Sequence, residues 1–80
     1  MSVKDCIVQR FMQLCRERGI RLNELANLSG VTPSTVYSMA DDRRREISVS
    51  TVKKLCDGLG ISLGEFFSAP SFDDLEQEIK

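Results

Sequence analysis

Apolar side chains recur along this chain at intervals of three, four and seven residues, and nowhere do they alternate with a period of two. The first such set is Cys6, Ile7, Phe11, Leu14 and Cys15, which fall on one face of a helix. Ser2-Val3-Lys4-Asp5 ahead of it reads as a capping box, with Asp5 in place of the more usual glutamate. Gly19 ends the run, and Arg16 and Arg18 sit in its last turn, where cations suit the helix dipole. The spacing predicts a helix over about 3–18. Leu22, Leu25, Ala26 and Leu28 mark a second, shorter helical face closed by Gly30. Thr32-Pro33 follows at once, an N-cap residue and then a proline at the first helical position. A third helix runs from there to about Ala40, with Val36 and Met39 facing inward. Only three or four residues, one of them glycine, join the second helix to the third, which is the spacing of a helix-turn-helix.

Residues 41–47 are polar and aperiodic and predict a loop. Ser48 or Ser50 caps a fourth helix carrying Val49, Val52, Leu55, Cys56 and Leu59, with Gly60 at its end. Ser62-Leu63-Gly64-Glu65 is a second capping box and opens a short fifth helix through Phe66 and Phe67. Ala69-Pro70 breaks it. Ser71 to Asp74 forms a weaker box, after which Phe72, Leu75 and Ile79 make a one-sided apolar stripe. The expected architecture is all-α, with five helices in a domain over 1–70 and an acidic amphipathic tail over 71–80.

A chain of 80 residues holds one small core, with no room for a second domain or an enclosed active-site cavity. Its longest apolar runs are two or three residues, far short of the roughly 18 that span a bilayer. With no signal-type N-terminal stretch, the expectation is a cytoplasmic protein without membrane contact. The net charge of −1 is uneven. Residues 71–80 carry a net of −3 and residues 1–70 a net of +2, so a mildly basic surface lies behind an acidic tail. There is no histidine, and Cys6, Cys15 and Cys56 lie nine and forty-one residues apart, which excludes the tight ligand spacing of a structural zinc site. All three cysteines fall on apolar helix positions and are expected to be small reduced core residues. Without histidine, a Gly-rich phosphate loop or a nucleophile elbow, the chain is expected not to be an enzyme and to need no cofactor.

Residues 7–67 resemble the compact helix-turn-helix domain of phage repressors and Cro proteins, the lambda-repressor-like family. The segment that carries the likeness is Leu-Asn-Glu-Leu-Ala-Asn-Leu-Ser-Gly-Val-Thr-Pro-Ser-Thr-Val-Tyr-Ser-Met, residues 22–39. Leu-Cys-Asp-Gly-Leu-Gly-Ile-Ser-Leu-Gly-Glu-Phe-Phe, residues 55–67, is similar to the family's closing helices. Within the first segment, Ala26 permits a close helix crossing, Gly30 supplies the left-handed turn, and Val36 fills the core between the helices. The resemblance implies that helix three enters the DNA major groove while helix two crosses the backbone.

Carried over by position, the outward residues of helix three are Thr32, Pro33, Ser34, Tyr37 and Ser38, with capping as an alternative role for Thr32 and Pro33. None is Arg, Lys, Gln or Asn, so the strong bidentate pairings to guanine and adenine are absent from this helix. Base reading then falls to hydroxyls, apolar contact and DNA shape. Arg43, Arg44 and Arg45 stand where the family's loop follows the phosphate backbone, next to the opposing charges of Asp41, Asp42 and Glu46. The start of helix four, near Ser48 to Thr51, is placed to offer backbone N–H groups to a phosphate. Four positions depart from the family. Leu22 replaces a phosphate-binding glutamine and Asp41 a common asparagine. Cys15 and Ala40 together replace an Arg–Glu pair that ties helix one to the end of helix three.

The function expected is that of a DNA-binding transcriptional regulator, a small repressor acting as a homodimer on double-stranded DNA, with no small-molecule effector. The alternative is a protein-interaction or antitoxin-like module that keeps the fold with little DNA binding, which Leu22 and Asp41 favour.

Overall fold

The capping box at the N-terminus forms as its residues dictate. Ser2 Oγ accepts the Asp5 N–H at 3.1 Å, and the Asp5 carboxylate accepts the Ser2 N–H at 3.2 Å. These bonds hold the Asp5 carboxyl below its usual range. The cap is therefore kept through mildly acidic pH and is lost only as pH falls through that lowered value. From this start the computed structural model, which describes residues 2–41, 43 and 46–75, builds six helices. They are α1 (Val3–Arg18), α2 (Leu22–Ser29), α3 (Pro33–Met39), α4 (Val49–Leu59), α5 (Leu63–Phe67) and α6 (Pro70–Asp73). No strand occurs among the described residues, and no helix there is long and apolar enough to cross a membrane.

The first five helices lie where the apolar periodicity places them. Ser48, rather than Ser50, caps α4, its Oγ accepting the Thr51 N–H at 3.1 Å. The sixth helix departs from the five expected. Pro70 does not merely break α5: it is the first residue of α6, with Ala69 as N-cap, so Ser71 lies inside the helix and caps nothing. A proline has no N–H to lose at that position, and its fixed φ suits the first turn. The boundary expected between 70 and 71 falls within this helix. Ile79, the last residue of the expected apolar stripe, lies outside the described residues.

The core is one cluster drawn from α1 to α5. Phe11, Leu25, Ala26, Val36, Leu55, Cys56 and Phe66 are completely buried within it. At one end all four phenylalanines meet: the Phe11 and Phe66 rings lie 4.3 Å apart, Phe66 and Phe67 4.9 Å, and Phe67 and Phe72 5.0 Å. Phe72 thus brings α6 onto the same cluster, and the Cys6 thiol points its S–H at the Ser71 carbonyl. All three cysteines are buried thiols outside any disulfide, and burial pushes those of Cys15 and Cys56 further from ionisation. They are core fillers, as their positions in the helical pattern suggest.

Two glycines set the geometry around α2. Gly30 ends it at φ 71°, in the left-handed region that glycine enters without strain, and the Val31 N–H returns to the Ala26 carbonyl at 3.1 Å. This reverses the chain and launches α3. Gly58, inside α4, lies against the end of α2, the helix that packs most extensively on α4. A Cβ there would stand 2.1 Å from Ser29 Oγ and 3.0 Å from Ser29 Cα. Ser29 Oγ is itself buried and has no hydrogen-bond partner among the described residues. In an open helix Gly→Ala gains about 1 kcal/mol. Here Gly58→Ala is expected to destabilise by about 1–3 kcal/mol through overpacking. Urea unfolding followed by circular dichroism checks the sign.

Candidate nucleic-acid interface

The outward face of α3 follows from what the helix buries. Val36 and Met39 point into the core, so Pro33, Ser34 and Tyr37 face away from it and are exposed. The Tyr37 side chain stands out furthest in chemical reach, a phenol left 55% exposed. Thr32 occupies the N-cap position, but its hydroxyl caps no backbone N–H. Instead it lies 3.0 Å from Ser34 Oγ and 2.9 Å from Thr35 Oγ1. These hydroxyls form a small network at the tip of the helix, and each can turn to a new partner at little cost. Ser38 is half-buried and borders a shallow recess of about 200 Å³ between α3 and the start of α4, which Ser48 and Thr51 also line. The structure thus brings Thr32, Ser34, Tyr37 and Ser38 onto one short helix next to the N-terminus of α4.

Of the arginine run, Arg43 alone is described. Arg43 is exposed, yet its guanidinium is engaged by Asp41. Nε lies 3.1 Å and 3.2 Å from the two carboxylate oxygens, and Nη2 donates to Oδ2 at 2.8 Å. The Arg43 backbone N–H also donates to Asp41 Oδ1, at 2.9 Å. This fork further favours the charged form of the arginine. Arg44 and Arg45 lie outside the described residues.

Two cations that tie α1 to distant helix ends escape a reading of the sequence. Lys4 is almost fully buried, and its Nζ donates to the backbone carbonyl of Asp41 at 2.7 Å, across 37 positions. A cation in the first turn of α1 opposes that helix's own dipole. The conflict is the signal that was available in the sequence, and it is resolved because the ammonium reaches the carbonyl end of α3, where a positive charge is favoured. Helix one is therefore tied to the end of α3 through Lys4, while Cys15 is buried and Ala40 half-buried. Arg10 performs the same task on α5: its Nε donates to the Phe66 carbonyl at 3.0 Å and Nη2 to the Glu65 carbonyl at 3.1 Å. Leu22 packs half-buried against the core.

The arrangement has clear relatives. The HTH-type transcriptional regulator PuuR of Escherichia coli (strain K12) is 32% identical over 71 residues, covering 89% of this chain. The PuuR protein of Shigella flexneri matches to the same extent. The chain spans 38% of the length of these regulators. Among solved structures, prophage Lp1 protein 11 superposes with a TM-score of 0.82 at 29% identity, covering 94% of this chain and 100% of the other. The family model for the Cro/C1-type HTH DNA-binding domain matches residues 10–71. With its helix pair, its turn and its closing helices all within that span, the chain belongs to the Cro/C1-type helix-turn-helix family.

Proposed function

We propose that this chain is a sequence-specific DNA-binding module of a transcription regulator, a binding protein and not a catalyst, acting in the cytoplasm. The observation that carries this reading is the exposed polar face of α3, held by the buried Val36 and Met39 and edged by the α4 N-terminus. In this reading α3 lies in the major groove, where Ser34, Tyr37 and Ser38 meet base edges. Thr32 supports them from the helix tip. Arg43, Arg44 and Arg45 contact phosphates, as does the start of α4. A homodimer would set two copies of α3 about 34 Å apart, one turn of duplex. Repression would follow from occupying a promoter.

The test separates the two sets of contacts. Changing Arg43, Arg44 and Arg45 to alanine is expected to flatten the dependence of log K on log salt by up to about 2.7, at about 0.9 per lost phosphate contact. It should weaken chosen and random duplexes alike, because phosphates carry no sequence information. A second reading, an interaction or antitoxin-like module with little DNA binding, is favoured by the occupied Arg43 guanidinium. It predicts no duplex binding to weaken.

A further inference from the structure

Asp41 is bonded through both its backbone and its side chain, which places it at a junction. Its backbone carbonyl is fixed by the buried Lys4 ammonium, so its position is set by the fold and not by the loop alone. Its carboxylate receives the Arg43 guanidinium on both oxygens and the Arg43 N–H on Oδ1. A carboxylate and a phosphate present similar paired oxygens to arginine, and an arginine fork so filled cannot meet a phosphate in the same geometry. The Asp41 side chain is 27% exposed and that of Arg43 89%, so the pair faces solvent at the edge next to α3.

We infer that Asp41 is an intramolecular competitor for DNA phosphate: its carboxylate occupies the Arg43 guanidinium in the free protein and must release it before Arg43 grips the backbone. The inference rests on the DNA-binding reading and adds to it an affinity-setting residue that itself touches no DNA. Lys4 is the positioning residue, since it anchors the backbone from which the competing carboxylate projects. An exposed ion pair of this kind is weak, so the competition lowers affinity by a modest factor and does not abolish binding. The physical consequence is readier release from any duplex, chosen or random alike, with Arg43 returning to Asp41 each time.

Asp41→Asn is the discriminating change. It removes the charge while Oδ1 still accepts the Arg43 N–H, and the Lys4 contact is to the backbone and is untouched. Asp41→Ser, which also keeps an oxygen for that N–H, serves as a second variant should the first melt differently from wild type. Binding to a random-sequence duplex is measured by fluorescence anisotropy from 50 to 200 mM salt, with Arg43 intact and with Arg43→Ala. With Arg43 intact, Asp41→Asn is expected to tighten binding by about 2- to 5-fold at 50 mM salt. The log–log slope should stay close to that of wild type, because Arg43 holds its phosphate in both complexes and only the cost of freeing it is removed. In the Arg43→Ala background the gain in affinity should be clearly smaller. Equal gain in both backgrounds would overturn the proposal while leaving DNA binding intact, because Asp41 would then act only by general repulsion. No gain with Arg43 intact overturns it as well. If neither wild type nor Asp41→Asn binds duplex, the DNA-binding reading fails and the competitor falls with it.

Discussion

Replacing Phe66 by alanine is expected to destabilise the domain by about 3–5 kcal/mol, the usual range for losing a buried phenylalanine. The ring is completely buried and has three aromatic neighbours, Phe11 at 4.3 Å, Phe67 at 4.9 Å and Phe72 at 5.8 Å. It joins α1, α5 and α6, so its removal leaves a cavity where three helices meet and none of them alone can collapse to fill it. A domain of this size has a total stability of only about 4–12 kcal/mol. The variant should therefore be marginal at 37 °C and melt well below wild type by circular dichroism. Phe67→Ala, at a ring 39% exposed, should cost clearly less. A loss at Phe66 of under about 1.5 kcal/mol would mean that the aromatic end of the core is loosely packed, contrary to the ring distances.

Alanine at Ser34, Tyr37 and Ser38 together should have the opposite profile. Ser34 and Tyr37 are exposed and Ser38 is half-buried, so stability should change by little, about 0.5 kcal/mol for each. Against a duplex selected from a random pool for tight binding, the triple variant should lose most of its preference over random sequence, by about 10-fold or more. Each well-made base contact is worth about 1–3 kcal/mol of discrimination, and hydroxyl contacts fall at the low end of that range. The salt slope should stay as in wild type, since no phosphate contact is removed. Competition binding at fixed salt reads the first effect and a salt titration the second. A triple variant that keeps its preference would place base reading elsewhere, in DNA shape or in the α4 end of the surface.

Much of this molecule is legible in the order of its residues because the signals that define it are local. Helices α1 to α5 follow from apolar spacing, serine caps and terminal glycines, each of which acts within one or two turns. The outward face of α3 follows by elimination once Val36 and Met39 are given to the core. Pro70 is less legible, since the same residue stops one helix and starts the next, and the second role goes with the packing of Phe72 on Phe66 and Phe67. What stays hidden is contact over long sequence separation. Gly58 looks like a weak point in α4 until Ser29 is found against it. Lys4 and Arg10 look like ordinary surface cations until their reach to the ends of α3 and α5 is seen. The occupied state of Arg43 lies between these cases. The opposing charge of Asp41 is plain from the sequence, but the two-oxygen fork that makes it a competitor is a matter of geometry.

The central claim is that this surface grips duplex DNA through phosphates while α3 reads the groove. It is tested most directly by titrating the wild-type chain against a promoter-length duplex, taken from just upstream of its own reading frame, between 50 and 200 mM salt. Binding is expected at 50 mM and should weaken roughly 40-fold by 200 mM if about three phosphates are held. Absence of binding at 50 mM, where phosphate contacts are strongest, would contradict the account and leave the fold to a partner other than DNA.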